Sequence, residues 1–318
     1  MPREGVEFHR FNEPAELKAA EPDLCCQAIP MGRGPFEVTA TTIRMGSMTL
    51  AMGRVSPCLS FLRIAADRAV LQLPCGRGEG VVLNTVACRP GLAGAYAAGS
   101  EFLCATRKPS SFAALILPSG AVEELLEPPA GSKLLQRGSC TLLQTRSAHW
   151  KRTERILRGA RATADSVPGT FDAEQPRHAL RDDLLRAAHD LVSPEPEAEI
   201  RTPRVTRARR RIVVKADEYL RAHLDRPIYT EELCEALAVS ASGLSEAFRT
   251  VFAVSPHRFL KLRRLSMVRT ALRSREGLAP LVKSVALSHG FWHLGQFAHD
   301  YRETFGEMPS ETLARTRG

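Results

Sequence analysis

The sequence predicts an α+β protein: a β-rich small barrel with flanking helices, followed by an all-α domain of seven helices that contains two helix-turn-helix motifs. Three observations carry this expectation. First, Phe36 to Pro118 consists of short alternating runs separated by Gly, Pro and Ser-Gly punctuation, the texture of many short strands. Second, the last third of the chain holds one pattern twice, about 50 residues apart. One copy reads Leu233, Cys234, Ala238, Val239, Ser240, then Leu244, Phe248 and Phe252; the other reads Val285, Ala286, Gly290, Phe291, then Phe297, Tyr301 and Phe305. Each describes a short helix, a tight turn and a second helix with bulky residues every fourth position, the form of a motif that lays its second helix in the DNA major groove. Third, Arg204 to Gly318 carries 20 Lys/Arg against 12 Asp/Glu, whereas the preceding 203 residues carry 24 against 23. The excess positive charge therefore sits with the repeated pattern, and it favours a polyanionic partner, nucleic acid first and anionic lipid second.

A chain of 318 residues with 44% apolar content should fold as about two domains, each with its own core. The expected boundaries are 1–192 for the strand-rich domain, 193–208 for a linker and 209–318 for the helical domain. Eight cysteines include no C-x-x-C pair, so neither a zinc nor a thioredoxin-type site has local support; they are expected to be small buried hydrophobes in a reducing compartment. The N-terminus lacks the basic-then-apolar order of a signal peptide, and no apolar run reaches 18 residues; the expectation is a cytoplasmic, nucleoid-associated protein without a membrane span.

In the first domain, residues 1 to about 30 are uninformative. Strands are expected at Phe36–Thr42, Met48–Met52, Val70–Leu73, Gly80–Val86, Phe102–Ala105 and Phe112–Leu117, and a barrel of that size can enclose one small ligand. Helical stretches follow at Ala121–Leu126 and Gly138–Ala162, broken at Val167-Pro168-Gly169-Thr170. A further amphipathic helix spans about Glu174 to Val192, with Leu180, Leu184, Ala187, Ala188 and Leu191 at helical spacing. It can pack within its own domain or on a twin subunit, so a homodimer is one expectation. Ser193 to Arg204, rich in Pro and charge, reads as the linker.

In the second domain, Ile212 to Leu224 is an amphipathic helix ended by Asp225-Arg226-Pro227. Thr230, before Glu231 and Glu232, is the expected N-cap of the first motif, and Ser240 or Ser242 caps the helix that runs to Phe252. Ser255-Pro256 opens a helix of about 20 residues, roughly 30 Å long. That is close to the ~34 Å advance of one DNA turn, so this strut could hold two reading helices in successive major grooves on one face of a duplex. Gly277 to Pro280 breaks it; Leu281–Ser288, the turn His289-Gly290-Phe291 and His293–Phe305 form the second motif. Gly243 and Gly295 each fall inside a reading helix, at a cost of ~1 kcal/mol relative to Ala. Two accounts stand: close approach to the DNA backbone, or close packing on a neighbouring helix.

The groove-facing candidates are Ser242, Ser245, Glu246 and Arg249 in the first motif and Gln296, His299 and Arg302 in the second. Glu246 could accept from a cytosine amino group, Arg249 could reach guanine or phosphate, Gln296 could pair with adenine, and Arg302 suits a phosphate. Thr230, Ser240 and Lys283 are candidates for phosphate contact at helix N-termini, with capping as the alternative for the two hydroxyls.

Thr230 to Phe252, Ser255-Pro256, Arg263-Arg264-Leu265, Val285-Ala286, Gly290-Phe291, Phe297, Tyr301-Arg302 and Phe305-Gly306-x-x-Pro309-Ser310 resemble the AraC/XylS family of bacterial transcription regulators over about 105 residues. The resemblance implies a seven-helix DNA-binding domain, an N-terminal cupin-like domain that binds an effector or dimerises, and RNA polymerase as a partner; the sequence leaves the sign of regulation, activator or repressor, open. The chain departs from the family pattern at Cys234, Ala238 and His299; at the last, arginine is common, and histidine offers one or two donors rather than a bidentate fork.

Two other classes compete. A cupin-type enzyme needs clustered metal ligands, chiefly His, yet none of the nine histidines lies between Phe36 and Pro118. Methyl transfer to a reactive cysteine beside a DNA-binding domain would want a Cys-rich metal site, which the spacing does not offer. No nucleophile elbow, P-loop or dinucleotide fingerprint appears. The reading is thus a non-enzyme with no cofactor and no metal, whose partners are duplex DNA and a small-molecule effector.

Overall fold

The computed structural model describes residues 4–20, 23–32, 34–73, 75–76, 78–121, 137–192, 200, 204–223, 226–274 and 281–317. Most of the expected helix at 121–126, nearly all of the linker before Arg204, Leu224-Asp225 and the break at 277–280 lie outside them. The chain divides into two compact units, residues 1–28, 37–56 and 60–201 in one, and 29–36, 57–59 and 202–318 in the other.

Twelve strands are described: β1 (Gly5–Phe11), β2 (Leu24–Pro30), β3 (Val38–Met45), β4 (Met48–Val55), β5 (Cys58–Ile64), β6 (Arg68–Gln72), β7 (Val81–Leu83), β8 (Val86–Ala87), β9 (Leu92–Tyr96), β10 (Glu101–Thr106), β11 (Ser110–Pro118) and β12 (Cys140–Gln144). They form two antiparallel sheets, one ordered β1-β3-β4-β11-β6-β9-β12 and a smaller one ordered β2-β5-β10-β7-β8. Short helix α1 (Pro14–Ala20) follows β1; α2 (Ser147–Ser166), a 3-10 turn (Pro168–Asp172) and α3 (Glu174–Val192) follow β12.

The period of two decides the layering. On β11, Ala113, Leu115 and Leu117 join a core shared with Leu157, Ala160, Ala164, Leu180, Leu184 and Ala188 of the helices. The intervening Ile116 faces the other way, into a core with Val70, Tyr96 and Leu142 of the large sheet and Leu83 and Phe102 of the small one. The large sheet is therefore covered on both faces. The apolar stripe of α3 is buried on the sheet of its own domain, so that stripe is not a free dimerisation face.

One expectation is corrected here, and a second gains its geometry. Cys140–Gln144, read as part of a helix, is an edge strand paired with β9 in the register Cys140↔Tyr96 to Gln144↔Leu92; the helix begins only at Ser147. Val167–Thr170 does interrupt the helices, but as a 3-10 turn whose Phe171 is buried.

The second unit contains seven helices among the described residues: α4 (Arg204–Ala222), α5 (Thr230–Leu237), α6 (Ala241–Phe252), α7 (Pro256–Arg273), α8 (Val282–Ser288), α9 (Leu294–Phe305) and α10 (Pro309–Arg317). α4 starts eight residues before the expected Ile212, because the arginine-rich segment read partly as linker is itself a good helix former. At the N-terminal end of α7, Phe259 packs at a tilt on Phe248 and stacks on Phe252 of α6, at 4.9 and 5.9 Å between centroids. At its C-terminal end, Leu265, Val268 and Leu272 share a core with Val285, Phe291, Phe297, Tyr301 and Phe305. One helix thus contributes to the interior of both motifs.

Candidate nucleic-acid interface

Each motif is a short helix, a tight turn and a 12-residue helix. In the first, α5 ends at Ala238, which adopts φ 52°, ψ 46°, a left-handed conformation that costs a non-glycine residue about 1–2 kcal/mol. Ser240 then caps α6, its hydroxyl accepting from the Gly243 N–H at 3.1 Å. In the second, the same reversal falls on Gly290, at φ 77°. A Cβ there would stand 3.0 Å from Pro227 Cβ and from the Tyr229 hydroxyl, so both conformation and space require glycine. His293 occupies the N-cap of α9 without a side-chain cap.

Ser242, Ser245, Glu246 and Arg249 fall on α6 at i, i+3, i+4 and i+7, one stripe of the helix; Ser245 is half-buried and the other three are exposed. Gln296, His299 and Arg302 lie at three-residue intervals on α9 and are exposed. Three of these side chains already have partners, the Ser242 hydroxyl lying 3.0 Å from that of Ser240. Arg209 of α4 pairs with Glu246, and donates to Thr250 Oγ1 at 3.4 Å. Gln296 donates to Asp300 Oδ1 at 3.2 Å, a carboxylate also held by Lys261 at 3.0 Å. Arg209 is a neighbour the sequence did not single out; its only signal was the run Arg209-Arg210-Arg211.

The phosphate candidates divide. Ser240 spends its hydroxyl on capping. Thr230 is not the cap of α5: Tyr229 occupies that position, and Thr230 is the first helical residue. Lys283 is exposed in the first turn of α8. For the two glycines, the protein offers little to pack against. A Cβ on Gly295 would meet nothing within 4 Å, and one on Gly243 only the Ser240 hydroxyl at 3.2 Å. Packing on a neighbouring helix therefore does not account for either.

The motifs are held rigidly to the strut. Buried Asp217 of α4 pairs with Arg221 on its own helix and with Arg263 of α7 at 3.2 Å; burial pulls the Arg263 guanidinium below its ordinary range while Asp217 opposes that shift. Leaving either charge unpaired there would cost about 3–5 kcal/mol. At the far end of α7, Arg269 pairs with Glu307 at 2.6 Å and lies 4.7 Å from the Phe305 ring centroid. Thr312 ties Glu307 (2.7 Å) to the Tyr301 hydroxyl (2.8 Å).

The strut has 18 residues, about 27 Å of rise. Two reading helices of equal length on one such strut, in the basic third of the chain, define the class: a double helix-turn-helix DNA-binding domain. Comparison with known proteins agrees. A family model described as "Helix-turn-helix domain" matches residues 233–315. The xylDLEGF operon transcriptional activator 1 of Pseudomonas putida is 34% identical over 100 residues, 31% of this chain and 30% of that protein. A probable thc operon regulatory protein of Rhodococcus erythropolis is 32% identical over 130 residues, 41% of this chain and 37% of that one. The chain thus spans about a third of the length of these relatives. The crystal structure of a probable AraC family transcriptional regulator from Rhodopseudomonas palustris is 41% identical, covering 34% of this chain and 99% of that chain with a TM-score of 0.31. Residues 233–315 thus match a helix-turn-helix domain, similar in sequence to part of AraC/XylS-type transcription regulators.

Burial pushes the thiols of Cys75, Cys88 and Cys104 up to about 11, 12 and 11, so they stay protonated at neutral pH. Among the described residues, no group of three or more His, Cys, Asp or Glu is placed to hold a metal, and no helix is long and apolar enough to cross a membrane.

Proposed function

We propose that the protein is a sequence-specific DNA-binding transcription regulator. In this reading α6 and α9 enter successive major grooves on one face of a duplex, and a small-molecule effector acting on the strand-rich unit controls binding. The observation that carries it is the pair of 12-residue helices on one ~27 Å strut, each presenting an exposed polar stripe. Ser242, Ser245, Glu246, Arg249, Gln296, His299 and Arg302 form the base- and backbone-reading set, with Thr230, Ser240 and Lys283 near phosphates. The open space at Gly295 suits close approach of the DNA backbone to the first turn of the second reading helix.

An effector site has one candidate in a recess of about 400 Å³ lined by residues that include Glu4, Met45, Ser47, Glu174, Arg177 and Arg181, within the size of small-molecule sites. An activator's role, RNA polymerase as partner, a homodimer and a cytoplasmic, nucleoid-associated location complete the reading. Hydroxyl-radical footprinting tests its core. Two protected patches one helical turn apart on the same face are expected; protection confined to one turn per protein would refute it. Metal analysis tests the competing enzyme reading, which stoichiometric zinc or iron would revive.

A further inference from the structure

The second motif carries a large apolar side chain with no part in its core. Phe291 is buried beneath Arg264, but the next residue, Trp292, is 69% exposed. It stands two residues before α9, at the end of that helix where His293, Gly295 and Gln296 are exposed as well. A single exposed hydrophobe is ordinary on a protein surface; position gives this one meaning. The turn and first helical turn are the parts of a helix-turn-helix that reach the groove, and at Gly295 that end of the helix is stripped of side chain. An indole is neutral, with flat apolar faces and a single donor. Its chemistry fits a thymine methyl and the adjoining deoxyribose, not a phosphate.

Resting on the regulator reading above, we infer that Trp292 is a DNA contact of the second motif, its indole packed on the apolar edge of the duplex beside the base that Gln296 reads. It adds an apolar, thymine-favouring element to an otherwise polar set.

The chain has two tryptophans, which makes the inference measurable. Trp150 is half-buried in α2, and its Nε1 is enclosed without a hydrogen-bond partner among the described residues, so W150F forfeits no hydrogen bond and leaves Trp292 as the sole indole. The probe is a duplex that the protein itself selects from a randomised pool. Emission of the W150F protein should change in step with the anisotropy of the labelled duplex. Independently of that background, W292A should weaken binding about tenfold, the size of one good base-edge contact. The salt slope should not change, because an indole releases no counterion. W292F should restore most of the affinity, and the melting temperature should not move. Rising anisotropy with static emission, or wild-type affinity in W292A, would overturn the contact and leave the DNA-binding reading standing. No rise in anisotropy even at low ionic strength would overturn both.

Discussion

The guanidinium of Arg264 lies between the rings of Tyr229 and Phe291, 5.4 and 5.3 Å from their centroids. Tyr229 opens the first motif and Phe291 closes the turn of the second, so one strut side chain touches both. Burial lowers the pKa of this arginine, against the opposing pull of Tyr229. Such desolvated cation–π contacts contribute about 1–2 kcal/mol each.

Replacing Arg264 by Met keeps the stem and removes the planar cation. R264M should lower stability by about 1–3 kcal/mol, measured by urea denaturation, and should weaken a two-turn operator more than a single-turn one. R264K should not restore it, since an ammonium cannot lie flat between two rings. Full recovery by lysine would show that charge alone matters.

The two reading positions on α9 should behave differently. Q296A should relax preference at one operator position by ~1–3 kcal/mol, whereas R302A should weaken all sequences alike and flatten the salt dependence. Equal losses across sequences for Q296A would remove Gln296 from the base readers. Competition binding over a set of single-base operator variants makes the distinction.

Ala238 and Gly290 occupy equivalent turns with opposite suitability. A238G relieves a left-handed alanine and should raise stability by about 0.5–1 kcal/mol. G290A should lower it by about 2 kcal/mol or more, adding a crowded Cβ to an unfavourable φ. Calorimetric melting of both variants checks the signs.

Glu232 accepts hydrogen bonds from Arg226 at 2.9 and 2.5 Å and from the Tyr219 hydroxyl at 2.8 Å. The arginine chiefly holds its carboxyl below the ordinary 4.5. A carboxylate so depressed stabilises the fold at any pH above its unfolded value, and that contribution fades as pH falls through the folded one. The stability gap between wild type and E232Q should therefore be constant from neutrality to about pH 5 and shrink below it. A gap independent of pH down to 3 would contradict the pairing.

The helical third was legible because its signals are local. Ser255-Pro256 opens α7, with the Ser255 hydroxyl accepting from the Arg258 N–H at 3.2 Å, and bulky residues at i+4 mark the buried faces of α6 and α9. What escaped is non-local. β12 looked helical because Leu142 and Leu143 sit side by side; they serve opposite faces of one sheet, which only pairing with β9 reveals. β1, in an uninformative stretch, exists by pairing with β3. The site residues were chosen by helical phase, which cannot show that Glu246 is met by Arg209 from another helix.

Because α7 lends opposite halves of itself to two interiors, neither helix-turn-helix owns a complete one. The C-terminal domain should melt as a single cooperative block, and a fragment truncated after α6 should remain a molten chain. A motif transplanted without its strut arrives with its underside bare.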